Sequence, residues 1–307
     1  MKLFLSLVFI LSLLSCKEER TDALYMSVNN ETNSAKTKPK ENASLSEAFK
    51  AYWYAGEAEI TSYRLKQARY GESRDGFATL VYVTEPFEKD LQVKADYANA
   101  SNIPVLKLNT TKNFNTGIYP YSIMQSTFYP VDNHNHALKV SCSVQEWCGH
   151  VYAQLNNRDD FEFTSHSYFQ SEADQDLKLE KAILENELWT QLRINPSSLP
   201  TGQFKAIPSL EFIRLKHIPA KAYTANARLG DGVYEISYPE INRSLTINFN
   251  NSFPYEILGW EESYMSGFGA NAKTMTSSAT RLKTIKSAYW SKNSVADEHL
   301  RDSLGLR

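Results

Sequence analysis

Hydrophobic and polar positions divide the chain into three unlike stretches. Met1 and Lys2 precede an unbroken run of apolar and small residues from Leu3 to Ser15, which stops at Cys16. Crossing a bilayer takes roughly 20 apolar residues, so this run is too short to span. One positive charge, a short apolar segment and a small residue before the stop are the layout of a secretory signal over residues 1–15. From Lys17 to Asn42 the chain is polar, with Asn29-Asn30-Glu31-Thr32-Asn33-Ser34 and Lys36-Thr37-Lys38-Pro39-Lys40, and has no apolar period. Residues 16–43 are therefore expected to form a flexible tether. As a coil it would reach roughly 25–30 Å.

The third stretch, residues 44–307, has a globular pattern. Ser44-Leu45-Ser46-Glu47 reads as a capping box opening a short helix to about Tyr54, with Gly56 as its C-cap. The apolar period then changes from helical to two. Extended segments are predicted at 58–70, 77–85, 103–110, 118–129, 137–145, 148–155 and 161–169, with Glu72-Ser73-Arg74-Asp75-Gly76 as a turn. One long helix is predicted near 176–194, where Leu177, Leu184, Leu188 and Leu192 share a stripe and Pro196 stops it. Further strands are expected at 210–216, 220–228, 233–238, 244–249, 255–265 and 281–289, with Gly230-Asp231-Gly232 as a turn, and a short helix after Ser294. Strands that do not alternate with helices predict a mainly β, antiparallel sandwich or open barrel, not a doubly wound nucleotide fold. Two halves, 44–171 and 200–290 joined by a helix, fit the same pattern.

The junction Leu13-Leu14-Ser15-Cys16 resembles the lipobox of bacterial lipoproteins, in which the Cys thiol is acylated and the chain is cut before it. The resemblance implies a palmitate-type anchor at Cys16, a lipid bilayer as partner, and an outer-membrane address. Lys17-Glu18-Glu19 resembles the surface-export signal of Bacteroidota lipoproteins; cell surface and periplasmic face both stay open. Several phrases go together: Tyr52-Trp53-Tyr54-Ala55-Gly56-Glu57-Ala58-Glu59, Gln67-Ala68-Arg69-Tyr70-Gly71-Glu72, Phe114-Asn115-Thr116-Gly117-Ile118-Tyr119-Pro120-Tyr121-Ser122 and Gln145-Glu146-Trp147-Cys148-Gly149-His150. They resemble an uncharacterised family of Bacteroidota lipoproteins whose members often carry the label "septum formation inhibitor Maf". True Maf proteins are α/β nucleotide pyrophosphatases with a Ser/Arg-rich phosphate-binding start, which this chain lacks. The family supplies no catalytic residues to carry over.

Charge narrows the partners. With 33 basic and 35 acidic residues and no dense basic block, nucleic acid is not an implied partner. Eighteen Tyr, fifteen Phe and five Trp agree with a β-rich fold.

Reactive side chains concentrate between His134 and His166. His134 and His136, two apart on one strand face, together with His150, are candidate metal ligands, although their order matches no zinc-ligand spacing. Cys148 and His150 could pair a thiolate with a base, and His166 is a further catalytic candidate. Cys142 and Cys148 are a possible disulfide in an oxidising compartment, provided a turn falls between them. Asp159-Asp160 and Glu261-Glu262 read as turn or solvent-facing charges. Asp174 and Asp176 read as helix caps, and Tyr52-Trp53-Tyr54 as core. Phosphate loops, nucleophile elbows and His-Glu-x-x-His helices are absent, and no cofactor is implied. The expectation is a non-enzymatic envelope protein binding a ligand or protein partner; the alternatives are an envelope hydrolase with its site on the sheet and a structural component of an outer-membrane assembly.

Overall fold

Period-two alternation places successive strands side by side, each pairing with its neighbour in sequence. The computed structural model describes residues 45–97, 99–132 and 135–306. The signal peptide, Cys16, the tether to residue 43 and His134 lie outside the described residues. Helix α1 (Glu47–Trp53) leads into β1 (Ala58–Arg69), β2 (Glu72–Glu88), β3 (Val93–Lys94), β4 (Ile103–Thr116) and β5 (Tyr119–Pro130). Next come β6 (Lys139–Glu146), β7 (Gly149–Asn157), β8 (Phe161–His166), β9 (Asp174–Leu179), β10 (Ile183–Leu184), α2 (Glu185–Ile194), β11 (Gly202–Ile207) and α3 (Leu210–Lys216). The chain closes with β12 (Tyr223–Gly230), β13 (Val233–Tyr238), β14 (Arg243–Phe249), β15 (Ile257–Ser266), β16 (Lys273–Ser287) and α4 (His299–Ser303).

All the strands belong to one open sheet in the order β10-β11-β12-β13-β14-β15-β16-β1-β2-β4-β5-β6-β7-β8-β9, with β3 beside β2. Among the described residues only β10 and β11 run parallel. The first and last long strands meet in the middle, Ala58 opposite Ser287 and Ile60 opposite Ile285. The two sheet ends, β9 and β10, are consecutive in the chain but unpaired, so the meander stays open between them. This is the mainly β, antiparallel architecture expected, realised as one open sheet.

The two faces differ chemically. Inward positions such as Leu65, Leu80, Tyr82, Leu106, Leu108, Ile123, Val144, Leu155 and Phe163 are buried in one hydrophobic cluster. Outward positions Arg64, Lys66, Asn113, Asn115, Ser122, Ser244 and Asn248 are exposed. Apolar side chains also occur among the exposed strand positions, Met124, Tyr152, Leu177, Leu258 and Met265 among them.

Helix α1 is capped by Ser46, whose Oγ accepts the Phe49 N–H at 3.1 Å. Phe49 and Trp53, four apart, bury on the same face, each worth about 1.5–3 kcal/mol. Helices α2 and α3 lie against the concave face and join its core. Tyr82 on β2 donates to the carbonyl of Trp189 at 3.1 Å. At the N-terminus of α2, Glu187 accepts the amides of Leu184 at 3.1 Å and Ala137 at 2.7 Å.

Four expectations need correction here. Glu72–Gly76, expected to turn, already belongs to β2 and pairs with β1 from Arg69 opposite Glu72, so the turn is Tyr70-Gly71. The helix predicted near 176–194 covers only Glu185–Ile194; residues Asp174–Leu179 are edge strand β9, paired with β8 from Phe161 opposite Leu179 to His166 opposite Asp174. The leucine stripe ran through both because Leu177, Leu184, Leu188 and Leu192 keep a helix-like spacing, and the hairpin pairing with β8 that makes 174–179 a strand leaves no mark in that spacing. Asp174 and Asp176 therefore sit on a strand and cap nothing. Segment 210–216, predicted extended, is helix α3, started by Ser209 accepting the Phe212 amide at 3.2 Å. Its residues Leu210 to Leu215, Glu211 and Arg214 included, are all buried, so no polar face marked it as helical. After Ser294 the chain turns helical as expected, and Leu304 packs over Ala58, Ile60 and Val83 on the outer face of β1.

Candidate functional site

Core side chains of a β protein are ordinarily apolar, because each unpaired buried charge costs several kcal/mol. The concave face of this sheet nevertheless holds a charged network. Arg243 on β14 bonds Glu185 of α2 with both terminal nitrogens, one contact at 2.6 Å, and Glu262 of β15 through Nε at 2.8 Å. Its guanidinium lies 4.2 Å from the Phe212 ring. Lys112 on β4 bonds Glu211 of α3 at 2.8 Å. Gln125 on β5 donates to Glu211 at 3.0 Å, while its carbonyl oxygen accepts the Glu211 amide at 3.2 Å and the Asn186 side chain at 2.9 Å. Burial raises the Glu211 carboxyl above its ordinary range; Lys112 pulls it back and Glu262 pushes it further up.

Glu211 and Glu262 line two connected spaces. On one side is a polar chamber of about 40 Å³ bounded by Lys112, Gln125, Glu185, Asn186 and Arg243. On the other is a cleft of about 290 Å³ that opens to solvent. Its walls are Ala68, Phe212, Leu215, Tyr264 and Phe169, and Tyr70, Phe268, Tyr168 and Cys148 stand at its rim. Arg69, Arg214, Lys216, His217 and Glu146 add charge or polarity. Two ring pairs flank it: Tyr70 and Phe268 with centroids 6.0 Å apart, Tyr168 and Phe169 at 4.2 Å. A hollow of about 350 Å³ under the C-terminal segment lies on the outer face instead, and its floor, Ile60 and Leu304, belongs to the packing of that segment.

The residues singled out from sequence are dispersed. His136 bonds Glu187 at 2.9 Å and sits edge-on to Phe161, a packing role. His150 is exposed on β7. His166 is exposed at the end of β8, with Nδ1 3.2 Å from Asp174 across the ladder. Among the described residues no three of His, Cys, Asp and Glu converge on a metal position. Cys142 is buried and Cys148 exposed, and both are free thiols. Glu146 pairs with Gly149, so the turn between β6 and β7 is Trp147-Cys148, whereas Cys142 lies in the ladder opposite Ala153. Four strand residues, about 13 Å, separate Cys142 from the turn, beyond the roughly 7 Å a disulfide spans.

Cys148 alone of these residues lines the cleft. Glu146, not His150, is beside its thiol and holds its pKa up, away from thiolate. Of the acidic pairs, Glu261 faces solvent but Glu262 is buried against Arg243. Period two splits adjacent side chains between faces, and here the inner one meets a cation. Tyr52-Trp53-Tyr54 divides as well: Trp53 is buried, Tyr52 donates to Glu59 at 2.5 Å, and Tyr54 is exposed. The residues that build the cleft, Arg69, Glu211, Arg214, Lys216 and Glu262, carried no local motif. Their only signal was charge inside apolar runs such as Leu210–Lys216.

The architecture is one open, almost wholly antiparallel sheet with helices α2 and α3 packed in its core. No protein-family model matches the chain, and no curated protein matches it in sequence. Among solved structures it is similar to a β-barrel-like protein of a domain of unknown function from Brucella abortus. The two are 8% identical, with 75% of this chain and 98% of that one covered and a TM-score of 0.36. It is also similar to a porin-like protein from Bacteroides uniformis at 8% identity, covering 73% and 95% of the two chains with a TM-score of 0.21.

Proposed function

We propose that this protein is an exported bacterial lipoprotein, held at the outer membrane by an acylated Cys16, that binds a small ligand non-enzymatically in the cleft beside α3. The observation that carries the reading is the cleft itself: about 290 Å³, walled by aromatic rings, with charged groups converging from β1, α3 and β15. Ligand sites are commonly apolar concavities of about this size with a few placed polar groups. Outward strand positions such as Arg64, Lys66, Asn113 and Asn115 are polar, which supports attachment through the N-terminal lipid.

The test is a thermal-shift screen of the full chain against a small-molecule panel, repeated with Cys148→Trp. Cys148 is exposed at the cleft rim, so Trp there occupies the mouth without disturbing the core. Compounds that stabilise the wild type but not the variant support cleft binding. No stabilising compound, or equal shifts in both proteins, would reject it.

A second reading, an envelope hydrolase, is favoured by one observation. The raised carboxyl of Glu211 shares the cleft with Glu262, an arrangement suited to acid and base roles. Turnover of glycan or ester substrates by the wild type, lost in Glu211→Gln, would establish it.

A further inference from the structure

The cleft's cations lack the partners that every other buried cation here possesses. Arg193, Arg243 and Lys112 each contact a carboxylate within 2.8 Å. Arg214, only 6% exposed, has none within ion-pair distance among the described residues. Its Nη1 meets His217 Nε2 at 3.4 Å, and its Nε has no acceptor. The carboxylate behind that histidine, Glu172, is spent on His217 Nδ1 at 2.5 Å. The Arg214 guanidinium sits 4.5 Å from the Phe169 ring, which places it but supplies no countercharge.

Arg69 repeats the pattern from the opposite wall. Its contacts are neutral: the Leu215 carbonyl at 2.8 Å and the Tyr121 hydroxyl at 3.1 Å, again with Nε orphaned. Lys216 bonds only the Met265 carbonyl, at 2.5 Å. Burial and the nearby charge of Arg69 lower the Lys216 pKa, as uncompensated like charge requires. The lining carboxylates bond other groups: Glu211 bonds Lys112, Glu262 bonds Arg243, and Glu146 bonds the Tyr168 hydroxyl at 2.6 Å and the Cys148 amide, feeling Arg214 only as a through-space charge that helps lower its pKa.

Resting on the ligand-binding reading above, we propose that the occupant is a small ring-bearing organic anion. Its carboxylate or phosphate meets Arg214, Arg69 and Lys216, and its ring lies between the Tyr70–Phe268 and Tyr168–Phe169 pairs. Buried guanidinium groups without carboxylates are expensive unless an anion completes them, and planar forked donors suit both oxyanions. The aromatic pairs add stacking faces at the mouth.

Calorimetric titration of the purified full chain separates the two features with three probes: phenyl phosphate (ring and anion), inorganic phosphate (anion alone) and benzyl alcohol (ring alone). The expected result is one-to-one binding of phenyl phosphate, tighter than either fragment and weakened by added salt. Arg214→Met should weaken it roughly tenfold or more. Should that variant fail to fold, Lys216→Gln, at a partly exposed site, and the salt dependence of the wild type decide instead. Benzyl alcohol binding as tightly as phenyl phosphate, unaffected by these substitutions, would overturn the anion assignment while leaving cleft binding intact. Binding of none of the probes would also overturn it; cleft binding itself then stands or falls on the Cys148→Trp comparison.

Discussion

Arg193 and Glu59, 134 positions apart in sequence, form a two-pronged ion pair at 2.6 Å on each arm, and each side chain is 1% exposed. The pair fastens α2 to β1. The Trp53 and Tyr82 rings lie 5.0 and 4.7 Å from the guanidinium, and Arg193 Nε donates to the Pro254 carbonyl at 2.9 Å. Removing one member strands the other as a buried charge. Glu59→Gln or Arg193→Met should therefore destabilise the fold by about 3–5 kcal/mol. The double replacement Glu59→Leu/Arg193→Met should cost less than the two single losses added together. Urea unfolding of the four proteins checks this; additive losses would contradict the pairing.

The same pair sets a pH dependence. Burial pushes the Glu59 carboxyl up, but Arg193, Tyr52 and Lys286 together bring it below its ordinary value. A carboxyl depressed in the folded state stabilises above its unfolded pKa, about 4.3, and loses that contribution as pH falls through the folded value. The stability gap between wild type and Glu59→Gln should accordingly be full near pH 6 and shrink toward pH 3. Denaturation midpoints across that range measure it, and a gap that widens on acidification would contradict the assignment.

Gly259 lies where β15 and β16 approach too closely for a side chain. A Cβ there would stand 2.4 Å from the Ala279 carbonyl oxygen. Gly259→Ala must part the two strands, for a cost of about 1–3 kcal/mol, visible as a lowered melting temperature. An unchanged melting temperature would mean the strands separate freely at that point.

The two thiols should differ in reactivity. Of the two described cysteines Cys148 is exposed and Cys142 buried, so a maleimide should modify Cys148 and spare Cys142 in the native protein. Because the thiolate is the reactive species and Glu146 raises the Cys148 pKa, Glu146→Gln should accelerate labelling near pH 7. Mass mapping of the labelled peptides gives the site and stopped-flow the rate. Slower labelling in the variant would contradict the electrostatic cause.

The proposed lipid anchor has its own test. Cys16→Ser should move the protein from the detergent phase to the aqueous phase on Triton X-114 partitioning and leave the far-ultraviolet circular dichroism of the β domain unchanged. Continued partitioning into detergent would show that another part of the chain holds the membrane.

Much of the fold was legible because strand periodicity is local. Residues 233–238 alternate in sequence as they alternate in burial, and Ser46 announces α1 just before its first turn. The cleft was not legible. Glu262 looked like a surface charge because only the fold shows Arg243 on the neighbouring strand, with Ser244 opposite Ser263. The segment around Cys142, Cys148, His150 and His166 looked chemical because its residues are close in sequence, yet Cys142 lies on the buried face and His150 and His166 on the exposed one.

By itself the sequence determined elements whose signals lie within a few residues, such as the strand alternation over Val233–Tyr238 and the turn at Asp231-Gly232. Tertiary structure decided which buried charges meet. Lys112 and Glu211 are 99 positions apart, and Arg193 and Glu59 134, so no short window contains both partners. It also decided that α3 is a helix, since seven residues, Leu210–Lys216, are too few for their apolar spacing to separate helix from strand. Burial makes a charge costly or useful only in the presence of its partner, and that partner is set by the pairing of distant strands.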